Sequence, residues 1–285
     1  MISFLRSPWL QQFETLVSDA TSSLTISSPY VSKGPCTRIA LIKSQRDEDP
    51  DLEILLLTDL SRGVLLSGVN DVSAIYELAN TFRNMSVRFL PSVHAKVYIA
   101  DEKRAIVTSG NLTFGGLLNN FEYGVEVDDQ EAVRRIRADI LNYAALATPV
   151  DRDRLAFFNR TAVELNDVRR QAEKSINKKL RREFNSRLQK FDEEIIRTRV
   201  AGRAPHAIFA EAILYLLSKK PLSTTEMHPL IQKIHPDLCD DNVERIIDGK
   251  HFGKKWKHAV RTAQQHLKRI GKIGFKNGVW SISTR

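Results

Sequence analysis

Along the first 150 residues the apolar positions switch repeatedly between two spacings. In "PWLQQFETLVSDA", Leu10, Phe13, Leu16 and Val17 recur at helical spacing. "SLTISSPYV" is short, rich in β-formers and broken by Pro29, which predicts a strand ending at Ser28. "CTRIALIKSQ" predicts a second helix and "DLEILLLTDL" a buried strand. "VSAIYELANTF" predicts a helix with Asp71 as its N-cap. Four short strands are expected next, in "SVRFL", "HAKVYIA", "RAIVTS" and "FEYGVEV". "EAVRRIRADILNYAAL" closes the section as an amphipathic helix. Helices precede, interrupt and follow the strands. The expected fold class is therefore α/β, a mixed sheet covered by helices.

The pattern changes after residue 150. Leu165, Val168, Ala172, Ile176, Leu180, Phe184, Leu188, Phe191 and Ile195 form one apolar stripe at spacings of three or four. This predicts one or two long amphipathic helices, packed on the first domain or on a second copy of themselves. "AGRAPH", residues 201–206, reads as a hinge. Beyond it, "HAIFAEAILYLLSK" predicts a helix. "PLSTTEMHPLIQKI" predicts another, opened by a capping box of Ser223 and Glu226. "KHAVRTAQQHLKRI" predicts a third, and "GKIGFKNGVWSIS" a hairpin turning at Asn277-Gly278. Three helices and then a hairpin is the winged-helix order. The expected organisation is a domain over residues 1–150, a helical connector over 151–204 and a small winged-helix domain over 205–285.

Charge sharpens that division. The chain of 285 residues has a net charge of +9, all of it C-terminal. Residues 1–150 carry 14 Lys and Arg against 18 Asp and Glu, residues 151–204 carry 15 against 9, and residues 205–285 carry 14 against 7. Such asymmetry points to a polyanion held by the C-terminal part. No apolar run is long enough for a membrane helix, and the first twenty residues lack a signal-peptide core. Cys36 and Cys239 then read as free thiols, and the expected location is the cytoplasm.

Candidate chemistry gathers around His94, the only histidine before residue 206. With a side-chain period of two, His94, Lys96 and Tyr98 are expected on one face of a strand and Val93, Ala95, Val97 and Ile99 on its core face. The next strand delivers Ser109, Gly110 and Asn111 at its end. In "FEYGVEV", Glu122 and Glu126 are expected opposite the apolar Phe121, Tyr123, Val125 and Val127. These groups suit phosphoryl transfer without a metal. An imidazole can attack phosphorus, a lysine and an asparagine can meet charge on the non-bridging oxygens, and a carboxylate can fix the imidazole tautomer. No Asp and Glu cluster with the character of a Mg²⁺ site accompanies the motif, so no cofactor and no metal are expected.

His94-Ala95-Lys96, Asp101 and the run Thr108-Ser109-Gly110-Asn111 resemble the HxK-x4-D-x6-GSxN signature of the phospholipase D superfamily. Thr108 departs from the pattern, which has Gly there. Glu122 falls where nucleases of that superfamily often carry an acid, and "SSPYV" is similar to their early strand. The resemblance covers roughly residues 1–150. It implies a catalytic set of His94, Lys96, Asn111, Glu122 and Ser109. It also implies two motifs per site, so a chain with one motif is expected to work as a homodimer. One His94 would then attack the phosphodiester, and the His94 of the other copy would protonate the leaving oxygen. The restriction endonucleases of this type, and with them a defence role, are what the resemblance implies.

In the C-terminal part, Lys254, Lys255, Lys257, Arg261, Gln264, Gln265, Lys268 and Lys276 are candidates for DNA contacts, on a recognition helix and a wing. A zinc site of His228, His235 and Cys239 is disfavoured by its spacing. Two other classes stay open at this point: a non-catalytic DNA-binding protein on the same fold, and a lipid phosphodiesterase.

Overall fold

The structure, a computed structural model, describes residues 2–44, 52–174, 178–200 and 202–283, with side chains outside 172–181. It divides into two compact units, Met1–Thr198 and Arg199–Arg285.

The first unit is built on β1 (Ile2–Arg6), α1 (Leu10–Asp19), β2 (Ser23–Ser27), α2 (Lys33–Ser44), β3 (Glu53–Thr58), α3 (Arg62–Ser67), α4 (Val72–Thr81) and β4 (Met85–Phe89). It continues with β5 (Val97–Ala100), β6 (Arg104–Thr108), β7 (Tyr123–Val127), α5 (Gln130–Leu146), β8 (Thr148–Val150), α6 (Arg152–Lys174) and α7 (Lys178–Val200). The eight strands form one mixed sheet in the order β1-β7-β6-β5-β2-β3-β4-β8. Strands β2, β3 and β4 run parallel, and every other neighbouring pair is antiparallel. That alternation decides where chemistry can occur. The C-terminal ends of β2, β3 and β6 lie at the same edge as the N-terminal ends of β5 and β7.

Helices make the centre of the sheet dry on both faces. All four residues of β5 are buried, and β2 and β3 bury most of theirs. This is why these strands read as continuous apolar runs rather than alternating ones. Trp9, Phe13 and Tyr98 pack edge to face, with ring centroids 5.4–6.2 Å apart. The expected placing of Tyr98 beside His94 and Lys96 is corrected here. Tyr98 is fully buried and its hydroxyl donates to the Gly110 carbonyl at 2.9 Å. A strand covered on both sides has no solvent face for it to occupy. Strand β7 departs in the opposite sense, because Phe121 and Tyr123 are exposed rather than core. They lie near β1, an edge strand that the sequence pattern did not reveal, whose Ile2 and Phe4 are exposed as well.

The long apolar stripe packs within this unit. Leu155, Phe158, Leu165, Phe191 and Ile195 join the core cluster, and Phe184 and Leu188 lie partly buried against it. The Phe158 and Phe191 rings meet edge to face at 5.9 Å. Ile176 lies outside the described residues.

The second unit contains α8 (Pro205–Leu217), α9 (Thr224–Ile234), β9 (Glu244–Ile247), β10 (Lys250–Lys254), α10 (Lys255–Arg269), β11 (Ile273–Lys276) and β12 (Val279–Ile282). The capping box of Ser223 and Glu226 opens α9. The β11–β12 hairpin turns at Asn277 and Gly278, whose φ angles of 53° and 80° suit the tight turn of a right-twisted ribbon. A second hairpin, β9–β10, turns at Asp248 and Gly249 with φ of 48° and 75°. Asp248-Gly249 is itself a hairpin signal, masked in the sequence by the basic run that follows. Inside the unit, the guanidinium of Arg199 meets His235 Nδ1 at 2.6 Å and Asp237 at 2.9 Å. Burial and then the Arg199 charge push the His235 imidazole down to about 3, so it is neutral. Among the described residues no single helix is long and apolar enough to cross a membrane.

Candidate active site

The site forms where the strand ends meet. Lys96 immediately precedes β5, and His94 sits in the segment leading into it rather than on the strand itself. The expected alternation fails there because the ladder begins only at Val97. Lys96 is buried, yet its ammonium lies 2.8 and 3.0 Å from the two ring nitrogens of His94 and donates to the His94 carbonyl at 2.9 Å. Near-equal distances to both nitrogens place the cation against the ring rather than along one lone pair. Burial lowers the Lys96 pKa from its ordinary value, while the charge of Glu122 works against that shift. Lys96 and Glu122 therefore share one electrostatic environment although β6 separates their strands.

The loop that carries His94 is held from behind. The Asp59 carboxylate, at the end of β3, accepts from the Ser92 amide at 3.0 Å and from the Ser61 amide at 2.8 Å. Ser92 takes a φ of 61°, which the Asp59 contact helps to fix. Asn70 donates to the carbonyls of Asp59 and Pro29 and accepts from the Val31 amide. The "SSPYV" segment is thereby tied to the same frame. Ser28 accepts from the Leu112 amide, which fastens that segment to the turn bearing Asn111.

The turn after β6 is laced by its own side chains. Thr108, the departure from the glycine pattern, uses its hydroxyl to donate to the Tyr123 carbonyl and accept from the Gly110 amide. A Cβ fits here because Thr108 is not among the residues with positive φ. Ser109 donates a short hydrogen bond to Glu122 and accepts from the Tyr123 amide. Asn120 holds the other Glu122 oxygen at 3.1 Å, and Ser7 accepts from the Glu122 amide at 2.9 Å. Asn111 keeps its side-chain oxygen buried and without a hydrogen-bond partner. An unpaired polar atom of this kind costs free energy unless something else fills it.

The structure thus brings His94 and Lys96 into contact and Ser109 and Glu122 into contact, with Asn111 on the adjoining turn. Glu126 points elsewhere, pairing with Arg104. Asp101 is structural: it caps the turn into β2 with five donor groups from Thr21, Ser22 and Ser23. Sequence reasoning missed Ser7, Asp59, Asn70 and Asn120 as supporting groups. No spacing links the first three to the motif, because the sheet alone brings them near, and Asn120 lies two residues before Glu122.

Gly116 gives one direct test of the turn. A Cβ there would lie 2.4 Å from the Asn111 carbonyl oxygen and 2.6 Å from its amide nitrogen, both backbone atoms. Gly116→Ala is therefore expected to displace Asn111 and cost about 1–3 kcal/mol of stability. A melting temperature measured beside that of the wild type checks it; an unchanged value would show that the turn absorbs the added carbon.

In the second unit, Lys255, Arg261, Gln265, Lys268 and Lys276 are exposed as expected. Lys254 is paired with Glu244 at 3.1 Å, and Lys257 lies over the Trp256 ring at 5.4 Å. Gln264 is corrected. It is 1% exposed and its amide donates to Thr224, because it shares the inner face of α10 with Val260, Ala263 and Leu267. His228 stands against Trp256, and both cysteines are buried free thiols. Among the described residues no group of three His, Cys, Asp or Glu could hold a metal ion.

Residues 14–143 match the family described as cardiolipin synthase, PLD-like domain. Among solved structures, NucT from Helicobacter pylori is similar at 18% identity, over 48% of this chain and 91% of its own, with a TM-score of 0.40. Nuc from Salmonella typhimurium, a phospholipase D family member, is similar at 14% identity, over 53% of this chain and 99% of its own, with a TM-score of 0.43. Phosphatidylserine synthase from Haemophilus influenzae is similar at 16% identity, over 58% of this chain and 43% of its own, with a TM-score of 0.44. No curated protein matches the sequence.

Proposed function

We propose that this chain, whose residues 14–143 carry a phospholipase D-like domain, is a metal-independent endonuclease that hydrolyses DNA phosphodiester bonds through a phosphohistidine intermediate. The observation that carries the reading is the pairing of an exposed imidazole, His94, with the ammonium of a buried lysine, Lys96. Among the described residues the Lys96 ammonium meets the His94 ring and donates to the His94 carbonyl alone. A phosphate oxygen would replace the ring as acceptor and free His94 to attack phosphorus. The P–O bond to the leaving oxygen breaks as the N–P bond forms, and that oxygen takes a proton. Water then attacks phosphorus and gives its proton to the imidazole that protonated the leaving oxygen, while the N–P bond breaks and returns the attacking imidazole.

The proton donor is the His94 of a second copy, which makes the working form a homodimer. Two observations support this. No other histidine precedes His206, and the exposed Phe121 and Tyr123 flank Glu122 on an apolar surface that extends to Phe4 and Ile2. The basic second unit, a winged-helix-like arrangement of three helices and the β11–β12 hairpin, would hold the DNA. A restriction or phage-defence role accords with that combination.

The test is cleavage of supercoiled plasmid in excess EDTA. Nicking or linearisation is expected at the rate seen without chelator. Cleavage that stops in EDTA and returns with Mg²⁺ would overturn the metal-independent mechanism.

A further inference from the structure

The β9–β10 hairpin is a ribbon with no cover. Every residue from Arg245 to Gly253 is exposed, including Ile246, Ile247 and Phe252. A two-stranded ribbon exposed on both faces is marginal by itself. It is nevertheless fixed at its base. The Lys255 amide donates to the Val243 carbonyl at 2.9 Å, and His258 Nε2 lies 2.6 Å from the Phe252 carbonyl oxygen. The base of the ribbon is thereby tied to the start of α10.

Its two faces differ in chemistry. Lys250 pairs with Ile247 and His251 with Ile246 across the ladder. Alternation then places Arg245, Ile247, Lys250 and Phe252 on one face, and Glu244, Ile246 and His251 on the other. On the second face the Glu244 carboxylate is already engaged by His251 and Lys254. The first face holds two cations and two apolar side chains with no acid among them. From Glu244 to Arg261 there are six Lys and Arg against two Asp and Glu. Such a face complements a polyanion that also offers apolar sugar and base surfaces, and a two-stranded ribbon has the width that a DNA groove admits.

We propose that β9–β10 is a second DNA-contacting wing, in which Arg245 and Lys250 neutralise phosphates while Ile247 and Phe252 pack into the groove of a duplex. The inference rests on the reading of the second unit as DNA-binding and adds a surface outside α10 and the β11–β12 hairpin.

The experiment uses the full chain with His94→Ala, so that no cleavage intervenes, and a labelled duplex of about 25 base pairs read by fluorescence anisotropy over a range of salt concentrations. Arg245→Gln with Lys250→Gln is expected to weaken binding and reduce the slope of log K against log salt by about 2. Phe252→Ala is expected to weaken binding about tenfold with the salt slope unchanged. Ile246→Ser, on the opposite face, keeps the parent affinity and reports that the ribbon still forms. Parent affinity in both first-face variants, with Arg261→Ala and Lys268→Ala still weakening binding, would overturn the second wing and leave the DNA-binding reading standing. A parent that binds no duplex at any salt concentration would remove that reading, and this one with it. First-face losses that equal an Ile246→Ser loss would assign the ribbon a purely structural role.

Discussion

His94→Ala is expected to lower plasmid cleavage by at least about 10⁴-fold and to leave the melting temperature unchanged within about 1 °C. The two halves of that result come from different features. His94 is exposed, and the contact its ring makes is with the Lys96 ammonium, so its loss leaves no cavity. Lys96 keeps the carbonyl of residue 94 as an acceptor. Under the proposed mechanism chemistry suffers far more, because the same imidazole would serve as nucleophile in one copy and as acid in the other. Wild-type chain coexpressed with an equal amount of the variant separates a shared site from two independent ones. If both imidazoles are needed, only dimers with two wild-type chains cleave, and activity falls to about a quarter. A fall to about a half would mean that each copy works alone.

Asp101→Ala should do the reverse, costing about 3 kcal/mol and about 10 °C in melting temperature for the first unit. Its carboxylate accepts from the amides of Thr21, Ser22 and Ser23 and from the hydroxyls of Thr21 and Ser22. Burial alone would raise its pKa. The backbone amides of Ser23 and Ser22, with the two hydroxyls, outweigh burial and hold the carboxyl well below the usual carboxylate range. The sign of the pH effect follows. A depressed folded pKa gives stability that is present above the ordinary Asp value, near 4, and is lost as pH falls through the folded value. Urea melts of the wild type should therefore lose stability below about pH 4, and Asp101→Asn should flatten that acid limb. An equally steep limb in the variant would place the acid sensitivity in other carboxylates.

The same contrast explains what could be seen in the sequence. His94, Lys96, Asp101, Ser109 and Asn111 were legible because they belong to one continuous stretch, in which spacing survives folding. The mixed sheet was legible because β2, β3 and β5 are buried on both faces and so remain strongly apolar. Strand β1 was not, since "ISFLR" has one buried residue and no turn signal before it. Ser7, Asp59 and Asn70 were invisible for a related reason: each acts on a backbone group 33 or more positions away. Gln264 misled because a polar residue on a basic helix reads as a surface group. Only the inner stripe of Val260, Ala263 and Leu267 shows that it faces inward.

Strand β1 pairs with β7 from Ile2–Val127 to Arg6–Tyr123, and Ser7 anchors the Glu122 amide. The segment that braces the general site thus spans the longest separation in the sheet, from the first strand to the last element of the motif. Chain closure over more than a hundred residues is slow compared with the local pairing of β5 with β6, because its entropy must be lost before any contact compensates it. Upon dilution from denaturant, native-like absorbance and helix signal should recover ahead of catalysis. Under the proposed function, turnover is in this sense a clock for the final closure of the sheet, and it would report completion of the fold rather than its onset.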